Sequence, residues 1–147
     1  MATQVVNSFK GRLMGDTTDV STAINFATDS FKLMLLSSSH TTDIDAHVFI
    51  DDVSTNEVAA SGSYSAGGLA LTLTSDTDTT NDLGTLDAAD VSATSATISA
   101  QYAVLYKDAG TPGTSPIVAI YDFGSVISSS GATFSISINS SGLLTLA

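Results

Sequence analysis

The sequence predicts an all-β protein, a single-domain antiparallel β-sandwich or barrel with an extended N-terminal segment. Short stretches of alternating apolar and polar residues lie between turn-forming residues, and two neighbouring stretches are apolar on both faces. No sustained 3.6-residue apolar stripe indicates a long helix. The 147 residues correspond in size to one domain. We therefore expect a β-sandwich domain over residues 31–147, preceded by an N-terminal arm or first strand over residues 1–30.

The predicted centre of the domain is a hairpin of two strands, residues 97–107 and 116–123, joined by a turn over 108–115. Apolar residues occupy both faces of each strand, which is typical of strands buried on both sides. Gly110 and Gly113 permit positive φ, and Pro112 fixes φ, so the connecting segment is suited to a reversal. The apolar residues of the hairpin include Tyr102, Val104, Leu105, Tyr106, Ile117, Val118, Ile120 and Tyr121.

The remaining predicted strands cover this hairpin. A strand over 30–36 places Phe31, Leu33 and Leu35 on one face, and a strand over 132–138 places Phe134 and Ile136 inward. Further strands are expected over 69–74, 83–91 and 143–146, while 47–53 is either a strand or a single helical turn. The predicted turns include 61–68, 75–82, 87–90, 128–131 and 139–142.

The N-terminal segment differs from the rest because it holds Lys10 and Arg12, two of the chain's four basic residues. One interpretation is a first strand and a long connection packed on the domain. The other is an arm that reaches a partner. In that case the contact residues would be Phe9, Lys10, Arg12, Leu13 and Met14, with the basic groups meeting acidic partner groups.

Composition excludes several classes of function. The net charge of −11 disfavours binding to nucleic acid or to an anionic membrane surface. Cysteine is absent, so disulfides, thiolate catalysis and cysteine zinc sites are excluded. We expect no membrane span, because no apolar stretch is long enough, and residues 1–30 lack a secretory signal pattern.

Two segments hold residues that could ligate a metal. Residues 40–47 include His40, His47 and two aspartates, which are ligand types for zinc, iron or manganese. Residues 76–82 include Asp76, Asp78 and Asp82, and alternate carboxylates could bind calcium. The second segment lacks the glycine and the bidentate glutamate of a calcium loop. We expect polar loops in both places, with no metal and no cofactor.

Catalytic patterns are missing from the sequence. No Gly-x-Ser-x-Gly elbow and no phosphate-binding glycine loop with its lysine occurs. Glu57 is the only glutamate, and no aspartate is marked as its partner for glycoside hydrolysis. The sequence therefore predicts a protein that is not an enzyme.

An ordered series of segments resembles small structural proteins of tailed bacteriophages. The series includes Phe31-Lys-Leu-Met-Leu-Leu-Ser-Ser-Ser39, Asp45-Ala-His-Val-Phe49, Asp52-Val53, Asn56-Glu-Val58, Gly62-Ser-Tyr-Ser-Ala-Gly-Gly68, Leu86-Asp-Ala-Ala-Asp-Val91, Tyr102-Ala-Val-Leu-Tyr106, Pro116-Ile117, Asp122-Phe-Gly124 and Gly142-Leu143. The resemblance extends from about Phe9 through nearly the whole chain.

The resemblance implies a non-enzymatic virion component, a β-rich decoration (cement) protein on the capsid exterior. Such a protein would bind the major capsid protein and stabilise contacts between capsomers as a homotrimer. The alternative is a phage tail or host-recognition domain that binds carbohydrate through loops 61–68 and 108–115. Exposed aromatic residues on those loops would favour the alternative, and Tyr64 is the one candidate there.

Overall fold

A computed structural model describes residues 2–16 and 23–146. Three short 3₁₀ turns, Ile50–Asp52, Ser54–Asn56 and Pro112–Thr114, lie in the connections. One helix and eight strands make up the other regular elements: β1 (Ala2–Val5), α1 (Asn7–Leu13), β2 (Phe31–Leu36), β3 (Leu69–Leu71), β4 (Leu73–Asp78), β5 (Leu83–Ala88), β6 (Val91–Lys107), β7 (Ile117–Ile136) and β8 (Leu144–Leu146). No helix among the described residues is both long and apolar enough to cross a membrane.

The strands form two antiparallel sheets. The larger has five strands in the order β1-β7-β6-β2-β3, and the smaller has three in the order β4-β5-β8. Leu86, Leu143 and Leu144 of the smaller sheet and its connection join one buried apolar cluster with residues of the larger sheet. The predicted all-β fold is confirmed, and the two separate sheets make it a sandwich and not a closed barrel.

The predicted central hairpin is the middle of the larger sheet. β6 and β7 pair in antiparallel register, with Val104 opposite Ile120 and Ala103 opposite Tyr121. All four residues are buried, and since successive residues of a strand point to opposite faces, both faces of the pair are covered. Within the sheet, β2 and β1 flank the pair. The apolar character of both faces in the sequence is explained by this position.

The hairpin is longer than the sequence indicates. We expected a turn over 128–131 and a separate strand over 132–138, and this prediction is wrong. β7 continues along β6 through that segment, so that Ser129 lies opposite Ile98 and Ala132 opposite Ala96. Register shifts with the positive-φ Gly124 and Gly131 accommodate the extra residues of β7. The Ser/Gly-rich tract therefore forms bulges within a strand, not a reversal.

Two other predictions differ in detail. The alternation over 69–74 belongs to two strands in different sheets, because β3 pairs with β2 and β4 pairs with β5. For residues 47–53 we expected either a strand or a single helical turn, and the structure has the helical turn Ile50–Asp52. There the carboxylate Oδ2 of Asp52 accepts hydrogen bonds from the backbone N–H groups of Val48 (2.8 Å) and Phe49 (2.9 Å).

The start of the chain is part of the domain. β1 pairs with β7, from Ala2 opposite Asp122 to Val5 opposite Ala119. α1 follows directly and buries Phe9, whose ring meets Phe26 edge-on at 5.9 Å between centroids. Residues 2–13 thus correspond to a packed first strand and helix, and a free arm over 1–30 does not describe them. Residues 17–22 of that predicted segment lie outside the described residues.

Candidate functional site

Phe9, predicted as an apolar anchor for a partner, is buried and cannot contact one. Its side chain is 1% exposed and belongs to the core of the domain. The helical spacing explains the placement, since Val6 and Phe9 are three residues apart and both are buried. This part of the predicted contact set is therefore corrected.

Of the other four predicted contact residues, Lys10, Leu13 and Met14 are exposed, whereas the guanidinium nitrogens of Arg12 are buried. The exposed fraction is 47% for Leu13 and 89% for Met14. The Lys10 ammonium donates a hydrogen bond to Oδ1 of Asn7 at 2.9 Å, and the Arg12 guanidinium lies 5.6 Å from the centroid of the Phe49 ring. The C-terminal end of α1 thus exposes one basic side chain and two apolar ones, and the buried guanidinium of Arg12 is not placed to meet an acidic partner group as we predicted.

The two histidines lie against each other. The centroids of the His40 and His47 rings are 5.2 Å apart, and Tyr102 meets His40 edge-on at 5.1 Å. His40 is buried, and its Nε2 has no hydrogen-bond partner among the described residues. Burial and the nearby His47 lower the pKa of His40 from 6.5 to about 4, so His40 is neutral at physiological pH.

Both aspartates near this pair accept hydrogen bonds: Oδ1 of Asp45 accepts one from the Asn7 side chain of α1, and Asp43 is bonded within the loop. Oδ1 of Asp43 accepts hydrogen bonds from the backbone N–H groups of Asp45 (3.0 Å) and Ala46 (3.1 Å), and Asp43 N–H donates to Nδ1 of His47 at 3.3 Å. Asp43 shapes a turn, as expected for a polar loop. Across residues 2–16 and 23–146, no group of three or more potential ligands is placed to hold a metal ion.

The weak calcium candidates are likewise dispersed. Asp76 and Asp78 lie on β4, and Asp82 lies in the turn that follows. Oδ1 of Asp78 accepts hydrogen bonds from the N–H groups of Thr80 (2.9 Å) and Asn81 (3.1 Å), and its Oδ2 accepts one from the Asn81 side chain at 2.7 Å. These hydrogen bonds, the side-chain one foremost, hold the pKa of Asp78 below its usual value. Asp78 therefore caps the turn.

The loops considered for carbohydrate binding present a different surface from the one expected. Tyr64, the aromatic candidate of loop 61–68, is 1% exposed and lies in the core. In loop 108–115, Asp108 pairs with Lys32 at 2.7 Å, and the hydrogen bond from Lys32 lowers the pKa of Asp108. Neither loop presents an exposed aromatic ring.

Sequence reasoning missed a surface feature on the central hairpin, where β7 extends past β1. Beyond the region paired with β1, β7 carries the exposed side chains of Val126 (48%) and Ile127 (47%). A groove of about 260 Å³ lies beside them, lined in part by Phe123, Ile127 and Phe134. The sequence contains one indication of this surface: residues 123–147 include no Asp, Glu, Lys, Arg or His.

Comparisons with known proteins do not extend this description. No family model matches the sequence, and no match was found among curated proteins or among solved structures.

Proposed function

We propose that this chain is a non-enzymatic structural protein of a phage virion. It acts as a decoration or cement protein, binding the major capsid protein on the capsid exterior and stabilising contacts between capsomers as a homotrimer. The support comes from the ordered sequence resemblance and from the character of the protein surface.

One observation carries the proposal: four of the five exposed large apolar side chains of the described residues lie on two parts of the surface, and the fifth, Leu146, lies apart from them on β8. Leu13 and Met14 lie at the end of α1, and Val126 and Ile127 lie on the edge of β7. Exposed apolar side chains grouped in this way are typical of protein–protein contact surfaces. A rigid sandwich with two such surfaces is suited to joining neighbouring subunits.

The charge distribution suits the same role. The net charge of −11 keeps the protein from competing for DNA, while the exposed Lys10 provides a positive charge near the end of α1. We propose that this end of α1 contacts an acidic patch of the capsid, with Leu13 and Met14 as the apolar part of the contact.

The first experiment counts this chain in purified particles by quantitative mass spectrometry against the major shell protein. A fixed proportion to the shell protein would support decoration. A few copies per particle would overturn decoration in favour of a tail component, and absence from the particle would overturn the virion role itself.

A binding experiment then tests the contact surface. Purified chain is added to particles that lack it, and sedimentation measures the bound fraction. We expect Met14→Asp to reduce binding and Leu146→Asp to leave it unchanged, since both side chains are exposed and only Met14 lies at the end of α1. Equal binding by both variants and the wild type would contradict the assignment of this surface.

A further inference from the structure

β7 extends past the strand that pairs with its outer side. β1 pairs with residues 119–122 of β7, and no strand of the described chain pairs with that side of β7 beyond Asp122. Residues 124–133 are exposed apart from the half-buried Ser129. We define residues 123–133 as the β7 edge. It presents unpaired backbone groups of the kind that an added strand would bind.

The opposite side of the same hairpin is occupied. The Ser63 N–H donates to the Thr94 carbonyl at 3.0 Å, and the Thr94 N–H donates to Oγ of Ser63 at 2.8 Å. The Thr97 N–H donates to Oγ of Ser61 at 2.8 Å. Loop 61–64 thus protects the outer side of β6 here, and the β7 edge lacks an equivalent cover among residues 2–16 and 23–146.

The β7 edge also exposes apolar surface. Val126 and Ile127 are each about half exposed, and the groove beside Ile127 reaches the buried ring of Phe134. A strand paired with this edge would extend the sheet and could place an apolar side chain in the groove. Backbone hydrogen bonding and apolar burial therefore favour the same binding position.

The distribution of charged residues indicates which molecule binds at the β7 edge. Residues 91–101 and 123–147 contain no charged side chain, although the whole chain carries a net charge of −11. Asp122 and Asp90, which border these segments, accept backbone hydrogen bonds from Gly124 and Ile138, both at 2.7 Å. Two copies of so acidic a chain repel each other over most of their surfaces, and this repulsion is weakest at the β7 edge.

We propose that a second copy of this chain docks on the β7 edge. The edge has no lysine, proline or inward-pointing charge, three of the devices that keep sheet edges from pairing. A fourth device, the β-bulge, is present at Gly124 and Gly131, and residues 127–129 between the bulges stay in regular register with β6. The second copy supplies an uncharged strand of the same composition, with its own unpaired backbone groups and its own Val126 and Ile127. This inference does not depend on the virion role, because it concerns the purified chain alone.

The test measures the oligomeric state by sedimentation equilibrium for the wild type, Ile127→Lys and the control Leu13→Lys. Ile127 and Leu13 are equally exposed at 47%, so the two substitutions are matched in chemistry and exposure. We expect the wild type to associate and Leu13→Lys to associate equally. Ile127→Lys should raise the dissociation constant by about 30-fold or more, because the lysine would be buried without a partner. Association should strengthen with added salt, which screens the repulsion between acidic copies.

Hydrogen exchange of the wild type provides a test that needs no variant. The amides of residues 124–133 should gain protection as the protein concentration rises. A monomeric wild type at all concentrations would overturn the proposal and leave the edge to a foreign strand. Unchanged association of a folded Ile127→Lys variant, or exchange at 124–133 that is independent of concentration in an associating protein, would also overturn it.

Discussion

The hydroxyl of Tyr64 donates a hydrogen bond to Oε1 of Glu57 across 2.9 Å. The same hydroxyl accepts a hydrogen bond from the Leu35 N–H at 3.0 Å, and Oε1 of Glu57 accepts another from the Gly67 N–H at 2.7 Å. The only glutamate of the chain thus holds loop 61–68 against β2. Burial, foremost, raises the pKa of Tyr64 far above its ordinary value, so the hydroxyl remains a donor at physiological pH.

Replacing Tyr64 with phenylalanine should reduce the free energy of unfolding by about 1–3 kcal/mol, because the buried Leu35 N–H loses its acceptor. Urea denaturation measures the change. Tyr102→Phe is the control, since the Tyr102 hydroxyl accepts only a long hydrogen bond from Gln101 at 3.3 Å. We expect its cost to stay below about 0.5 kcal/mol. Equal costs would show that the Tyr64 hydroxyl has no special structural role.

Two adjacent glycines of the same loop allow a test of close packing. Gly67 and Gly68 have nearly equal φ values of 92° and 95°. A Cβ on Gly68 would lie 2.3 Å from the Leu33 carbonyl oxygen, whereas the nearest atom to a Cβ on Gly67 is 3.5 Å away. Gly67→Ala should cost about 1–2 kcal/mol from the backbone conformation alone. Gly68→Ala should cost on the order of 4 kcal/mol or prevent folding. Similar melting temperatures for both variants would contradict the close approach.

The packing of the N-terminal segment is tested at Phe9. Phe9→Ala should lower the free energy of unfolding by about 3–5 kcal/mol, because the substitution leaves a cavity in the core. Met14→Ala should change it by less than about 0.5 kcal/mol, since Met14 is 89% exposed. Thermal denaturation measures both. If Phe9→Ala were as stable as the wild type, the segment would be a free arm after all.

The buried His40 predicts a loss of stability in mild acid. Its pKa is about 4 in the folded chain and 6.5 when unperturbed, so between these values the unfolded chain binds a proton that the folded chain does not. The free energy of unfolding should therefore fall as the pH decreases from 6.5 to 4, by at most about 3 kcal/mol.

Urea denaturation at several pH values measures this slope, and a His40→Gln variant is the control because it cannot titrate. The variant should show a flatter dependence over the same window. Asp29 and Asp108 have lowered pKa values in the folded chain, so their contribution is lost mainly below about pH 4. An identical slope in the variant and the wild type would exclude His40 as the cause.

Calcium should not stabilise the turn after β4. The oxygens of Asp78 accept hydrogen bonds from Thr80 and Asn81, and a bound ion would have to displace them. We expect the same melting temperature in excess calcium and in a chelator. Asp78→Ala should lower the melting temperature equally in both conditions, because it removes the turn cap. A calcium-dependent rise in the wild type that disappears in the variant would restore the metal interpretation.

The sequence predicts the fold class and its centre well for a physical reason. Val104 and Ile120 lie in strands whose two faces are both apolar, and only burial on both sides accommodates such strands. The alternation that places Phe134 and Ile136 inward is also confirmed, because both side chains are buried.

Other features depend on contacts that local pattern does not encode. The tract around Gly131 has the composition of a turn, yet pairing with distant β6 residues keeps it extended. Phe9 follows a polar start and resembles an exposed anchor until β1 pairs with β7 and places α1 against the sheet. The β7 edge could be identified only from the observed extents of β1 and β7. The sequence shows that this edge is uncharged, but it does not show that the edge is exposed.

The pairing of β1 with β7 has a consequence for synthesis. Ala2 precedes its partner Asp122 by 120 residues, so it leaves the ribosome long before Asp122 is made. The five-stranded sheet cannot be completed while the chain is still being elongated through β6, so the final folding step follows translation of β7. Contacts between residues so distant in sequence also predict slow folding. Until that step occurs, Phe9 and the apolar strands of the sheet are open to contacts with other nascent chains.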